Sequence, residues 1–316
     1  LTYYIQLVTE VPDKVRLLTR SDFDGLACAT LLLELNLVDS FKFVHPKDVQ
    51  DGLIEVNKND ILANVPFAKG CGLWFDHHSS EEERGSLKEE FAGRSEQAPS
   101  CARVIYNYYG GSSKFGANLN ELMAAVDKAD AAQFTVQEIL NPEGWVLLAF
   151  VMDPRTGLGR FRQFRISNYQ LMEKLANDIR YKSIDQILSD YDVRERVDLY
   201  FEQTELFKKM VRKYSTVHNN VLVTDLRGVD PIYSGNRFIP YALCPDVNIS
   251  IWAIEGKLGN SVFTCGKSII NRNSNKNIGS VMLQYGGGGH FNVGTCQVPH
   301  EQAEQILEVL IQKFQD

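Results

Sequence analysis

Two short apolar runs that each end on a cluster of ionisable side chains restrict this chain's fold more than any other feature. Val15 to Thr19 runs into Arg20-Ser21-Asp22-Phe23-Asp24-Gly25, and Gly72 to Phe75 runs directly into Asp76-His77-His78. Between and after them come helical stretches, expected over Leu26 to Leu37, Ser100 to Tyr109, Leu119 to Ala129 and Glu143 to Met152, with a further strand over Phe41 to Val44. Apolar runs alternating with helices predict an α/β fold, a parallel sheet with crossover helices. In such open sheets ligands collect at the carboxyl ends of the strands. Both ionisable clusters fall there, so they are expected to share one site.

The chain has 316 residues, which predicts two domains. A charged stretch with helical rhythm (Ile187, Tyr191, Leu199, Phe207, Met210) lacks Gly and Pro and reads as a connecting helix or helix pair. The expected division is 1–183, a helical linker at 184–216, and a smaller α/β domain at 217–316. In that last part Val221 to Thr224, Asn248 to Ile254 and Ser261 to Thr264 read as strands and Ile306 to Phe314 as a closing helix.

Composition excludes some functions. No stretch approaches the ~20 consecutive apolar residues that span a bilayer. No basic segment leads into an apolar core near Leu1, so no secretory signal is expected. The six cysteines are scattered without a CxxC pair and read as reduced thiols of a cytoplasmic protein. A net charge of −7 disfavours a long duplex nucleic-acid track but not a small phosphorylated ligand in a local pocket.

Asp22 and Asp24, two apart in an extended segment, would face the same way and repel each other unless a cation lies between them. The alternative is that either one caps the following helix. Asp76-His77-His78 brings hard oxygen and borderline nitrogen donors together, a mixture suited to Mn, Zn or Fe rather than Ca. The alternative there is a polar strand end with His78 bonded to backbone. Downstream, Gly286 to Gly289 and His290 can bring backbone N–H groups close to an anion, or act as a hinge.

The order Asp-x-Asp-Gly, Asp-His-His, a later Asp and Gly-Gly-Gly-His resembles the DHH phosphoesterases with their DHH-associated second domain, from Leu18 to about Pro299. That family contains single-strand exonucleases, short-oligoribonucleotide hydrolases, cyclic-dinucleotide phosphodiesterases and exopolyphosphatase-like enzymes. The resemblance implies a metal-dependent phosphoesterase acting on a small nucleotide: a short oligoribonucleotide, a dinucleotide or a nucleoside bisphosphate. The alternatives are polyphosphate hydrolysis or a nucleotide-binding sensor with a decayed site. It implies metal ligands Asp22, Asp24, His77, Asp130 and Asn64, with Asp127 in reserve, and Mn2+ as the ion. Asp76, His78 and Arg20 would serve catalysis; Arg272, Gly287, Gly288, Gly289 and His290 would bind substrate. Expected partners are a small nucleotide or short single-stranded RNA and a second copy of the chain, with no membrane. Two positions depart from the family pattern. Arg20 stands where a His is usual, and Asn64 where a bridging Asp is usual, which leaves one ion or two open. Arg20 is expected to clamp a phosphate.

Overall fold

The computed structural model describes residues 15–78, 90–257 and 259–315. The segment before Val15, where no secretory signal is expected, lies outside them. The chain divides into two compact units, 1–131 with 144–154 and 159–195, and 132–143 with 155–158 and 196–316.

The first unit is built on a five-stranded sheet in the order β2-β1-β3-β4-β5, with every neighbouring pair parallel. The strands are β1 (Val15–Thr19), β2 (Val38–Phe43), β3 (Asp60–Ala63), β4 (Leu73–Asp76) and β5 (Gly93–Ser95). Leu17, Leu18, Leu62, Trp74 and Phe75 are fully buried, so the central strands read as continuous apolar runs, as strands covered on both faces do. Helix α1 (Phe23–Glu34) follows β1 and is buried along most of its length. Among the described residues, the other helices of this unit are α2 (Pro46–Gln50), α3 (Cys101–Tyr108), α4 (Ala117–Asp130), α6 (Gly144–Met152), α7 (Asn168–Asp178) and α8 (Ile184–Ser189). The short α5 (Val136–Leu140), between α4 and α6 in sequence, belongs to the second unit. Strand order turns back between β1 and β3: β1 leads to β2 on one side, and the chain then crosses to β3 on the other. The carboxyl ends of β1, β3 and β4 therefore lie side by side at the point where such sheets open a crevice.

Helix α9 (Tyr191–Tyr214) begins in the first unit and ends in the second, and with α8 it forms the helix pair expected from the Gly- and Pro-free stretch. The second unit carries a mixed six-stranded sheet in the order β10-β11-β9-β8-β7-β6. Its strands are β6 (Ser215–His218), β7 (Val221–Asp225), β8 (Ile249–Glu255), β9 (Asn260–Lys267), β10 (Gly288–His290) and β11 (Val293–Pro299). Only β7 and β8 pair in parallel; the other neighbours are antiparallel. Helices α10 (Ile239–Leu243), α11 (Ile278–Leu283) and α12 (Ala303–Phe314) complete it. Ile251, Phe263, Met282, Leu310 and Phe314 form the core beneath α11 and α12.

Sequence and structure differ in three places. Helix α1 starts at Phe23 rather than Leu26, so Asp22 and Asp24 do not sit in one extended segment. β3 and β5, of four and three residues, are too short to carry a pattern of their own and were not expected. The glycine run is not a free loop but enters the edge strand β10, with Gly288 opposite Thr295 and Gly289 opposite Gly294. Among the described residues no helix is long and apolar enough to cross a membrane.

Candidate metal centre

Asp22 is the N-cap of α1, in extended backbone, and its Oδ1 accepts from the backbone N–H of Gly25 at 2.9 Å. For this residue helix capping, the alternative reading of the acidic turn, describes the geometry. Gly25 makes the turn possible: a Cβ at this position would lie 1.9 Å from the carbonyl oxygen of Arg20. The close approach fixes the backbone on which Arg20, Asp22 and Asp24 all stand.

Asp24, in the first turn of α1, points inward and is 2% exposed. Its carboxylate accepts from the backbone N–H groups of Cys101 and Ala102 at 2.9 and 2.8 Å, the first two residues of α3. A helix N-terminus is a natural partner for a carboxylate. Even so, burial, followed by the charges of Asp130 and Asp22, holds the Asp24 carboxyl well above the usual carboxylate range. Such a group favours a proton or a cation.

His77 follows β4 directly. Its Nδ1–H donates to the carbonyl of Ala98 at 3.1 Å, which leaves the lone pair on Nε2. That Nε2 lies 3.7 Å from Asp24 Oδ2 and 3.4 Å from Asp130 Oδ2, and it is buried without a hydrogen-bond partner. Asp24, His77 and Asp130 each offer one ligand atom, all within 4.8 Å of one another. An imidazole lone pair aimed at two carboxylates repels them unless a proton or a cation intervenes. The set, one nitrogen and two carboxylates with a backbone carbonyl fixing the imidazole, fits a divalent ion.

Asp130 is the last residue of α4, and Asp127 one turn earlier keeps that end in place. Asp127 accepts from Ser100 Oγ at 2.8 Å and from Arg103 Nε and Nη2 at 2.8 and 2.6 Å. Both oxygens are thereby committed to α3, so Asp127, the reserve ligand of the sequence reading, ties α4 to α3 instead.

Asp76, at the end of β4 and 1% exposed, accepts from the Nδ1–H of His78 at 2.7 Å. Burial pulls the His78 pKa down, but the hydrogen bond and charge of Asp76 outweigh it, with smaller help from Asp130 and Asp24, and the net shift is upward. The imidazole rings of His77 and His78 are 4.3 Å apart in an edge arrangement. His78 therefore bonds a side chain rather than backbone, beside the ion-ready set.

The structure engages the Asn64 amide through its nitrogen. Asn64 takes a left-handed backbone with φ 56° and donates its Nδ2–H to Asp22 Oδ1 at 3.0 Å. Arg20 Nε lies 3.1 Å from Asp22 Oδ2. Asp22 is thus surrounded by donors and belongs to no group of clustered ligand atoms among the described residues.

In the second unit the glycines of the run do different work. A Cβ on Gly287 would meet Thr295 O at 2.1 Å, and one on Gly289 (φ 151°) would meet Val293 O at 2.2 Å. Both are demanded by the pairing with β11, while a Cβ on Gly288 would meet nothing. His290 is exposed, and its Nδ1 accepts from Asn292 N at 3.3 Å. Arg272 donates through Nε to Ile269 O at 3.0 Å and through Nη2 to Ala132 O at 2.7 Å, so part of its guanidinium already holds backbone.

Sequence reasoning missed the groups that hold the site from the third helix and the segment leading into it: the Cys101 and Ala102 N–H groups, Ser100, Arg103 and the Ala98 carbonyl. Ser100 as an N-cap was the only local signal there.

No protein-family model matches the chain, and no curated protein matches it. Among solved structures it is similar to a pGpG-specific phosphodiesterase from Vibrio cholerae, with 47% identity, 95% of this chain and 99% of that one covered, and a TM-score of 0.87. RecJ from Thermus thermophilus, solved with Mn2+, is 13% identical over 96% of this chain and 52% of its own, with a TM-score of 0.49. A likeness at that level says nothing of this chain's chemistry.

Proposed function

The chain belongs to the DHH phosphoesterase family, and we propose on that premise that it hydrolyses the phosphodiester of a linear dinucleotide, pGpG or a close analogue, with Mn2+ as its ion. The reading rests on one observation above the others: the buried, unpartnered Nε2 of His77 between the carboxylates of Asp24 and Asp130. It is supported by the 47% identity to a pGpG-specific phosphodiesterase along nearly the full length of both chains.

Asp24, His77 and Asp130 would hold the ion, with Ala98, Cys101 and Ala102 fixing the first two. A divalent ion there supplies Lewis acidity and offsets charge on the phosphoryl oxygens. The chain's own residues do the rest. Arg20 offers N–H donors to a non-bridging phosphoryl oxygen. His78, kept protonated to higher pH by Asp76, donates a proton to the leaving ribose oxygen as the P–O bond breaks. Water adds to phosphorus, and a dinucleotide yields two mononucleotides. In the second unit His290 and the open backbone at Gly288 are candidate contacts for the phosphate or sugar, with the remaining donors of Arg272. The cysteines are free thiols, which fits a cytoplasmic location.

Chelator-treated protein should release GMP from pGpG when Mn2+ is restored, read by chromatography of the products. The short substrate should be cleaved faster than a long single strand. Equal rates on both would remove the dinucleotide preference from this account.

A further inference from the structure

The surroundings of Asp22 are the opposite of those of Asp24. Asp24, His77 and Asp130 present a buried nitrogen without a partner to two carboxylates. Both Asp22 oxygens face donors: Oδ1 accepts from Gly25 N at 2.9 Å and from Asn64 Nδ2 at 3.0 Å, while Oδ2 lies 3.1 Å from Arg20 Nε in an ion pair. A cation approaching Asp22 from the Asn64 side meets an NH2 group rather than a lone pair. We infer that the Arg20 guanidinium, with the Asn64 amide, stands at Asp22 in place of a second metal ion, so that the site takes one divalent ion and one fixed organic cation.

This inference deepens the proposed function and rests on its ion at Asp24, His77 and Asp130. Three features separate it from an incidental surface ion pair, which an ion could push aside. The Arg20 backbone is fixed by the contact between its carbonyl and Gly25, where a Cβ would be 1.9 Å away. Asn64 is held by its backbone N–H, which donates to Phe75 O at 3.2 Å, and by its left-handed φ of 56°, a conformation Asn tolerates better than most side chains. The third is that Asp22 caps α1, so rotating its carboxylate toward an ion would uncap the helix. The Arg20 side chain is 40% exposed, and an Nε-engaged guanidinium keeps both Nη groups for a second anion. Arg20 is thus a charge-bearing bridge: one edge holds Asp22 and the other is open to a phosphoryl oxygen.

The test is ion stoichiometry, read by elemental analysis after equilibrium dialysis of the full chain against Mn2+, independent of turnover. Wild type should carry one ion per chain, Asp24→Asn none, and Asp22→Ser, which retains a capping hydroxyl, still one. Arg20→His combined with Asn64→Asp should raise the count to two. Two ions in wild type, falling to one in Asp22→Ser, would overturn the inference while leaving the ion at Asp24 intact. A double variant that stays at one would overturn it as well, because Arg20 and Asn64 would not be what excludes the second ion. An Asp24→Asn protein that keeps its ion would instead remove the proposed centre, and the inference with it. Circular dichroism of each variant establishes that it is folded before its ions are counted.

Discussion

Replacing Asp24 by Asn changes one oxygen to an NH2 group and leaves the shape alone, so its consequences can be worked from the hydrogen bonds. The carboxylate satisfies two buried N–H groups, those of Cys101 and Ala102. The amide can satisfy one, and leaving the other without an acceptor costs about 1–3 kcal/mol. Against this, the variant removes a desolvated carboxylate beside Asp130 and Asp22. The ion-free protein should therefore change little. The difference appears when the ion is added. At an ion concentration of 100 times Kd, binding to the folded state alone stabilises wild type by about 2.7 kcal/mol. For a domain of about 150–250 residues, each kcal/mol moves Tm by about 2–4 °C, which gives a rise of about 5–11 °C. Scanning calorimetry of chelator-treated protein with and without Mn2+ should show that rise in the transition of the first unit for wild type and none for Asp24→Asn. An equal rise in both proteins would refute the assignment of Asp24 as a ligand.

Three further outcomes follow from the same geometry. Gly25→Ala places a methyl group 1.9 Å from Arg20 O, against backbone that cannot rotate away, so stability should fall by ~3 kcal/mol or more with loss of the ion, read by thermal melts and metal analysis. Asp76→Asn removes the group that holds the His78 pKa up and leaves burial to pull it down, so the limb of the pH–rate profile that reports the protonated acid should move to lower pH. Part of the ~10²–10⁴-fold contributed by a positioned acid should be lost with it. For Asp24 the pKa is raised in the folded, ion-free protein, so its stabilising contribution is present at low pH and lost as pH rises through that raised value. Ion binding requires the carboxylate, so over the same interval affinity for Mn2+ should increase ~10-fold per pH unit for the one proton displaced. Calorimetric titration at several pH values measures it.

What could be read from the residues alone was whatever the chain writes locally. β1 and β4 announce themselves because five- and four-residue apolar runs end on ionisable clusters, and the α8 and α9 pair because Gly and Pro are missing from a rhythmic stretch. β3 and β5 were not legible, since they become strands only through neighbours in the parallel sheet. The acidic turn stayed ambiguous because its aspartates suit a strand end or a helix N-terminus, and the close approach of Gly25 to Arg20 O goes with the helix start. The glycine run showed that close approach was needed, but not that β11 is a partner in it. Asp24 and His77 could be picked out as candidates, and the structure brings their ligand atoms within 4.8 Å of each other. The groups that orient them could not, because Cys101 and Ala102 lie 77 and 78 residues from Asp24, and Ala98 lies 21 from His77.

The central claim, a divalent ion held by Asp24, His77 and Asp130 that serves hydrolysis of a dinucleotide, meets its most direct test in one assay. Purified protein is stripped with a chelator, given pGpG, and followed for GMP before and after Mn2+ is restored, with His77→Ala carried through the same steps. The account predicts no product from the stripped enzyme, GMP on adding the ion, and no recovery in His77→Ala. Hydrolysis that continues at full rate in the chelator, or that His77→Ala retains, would contradict it.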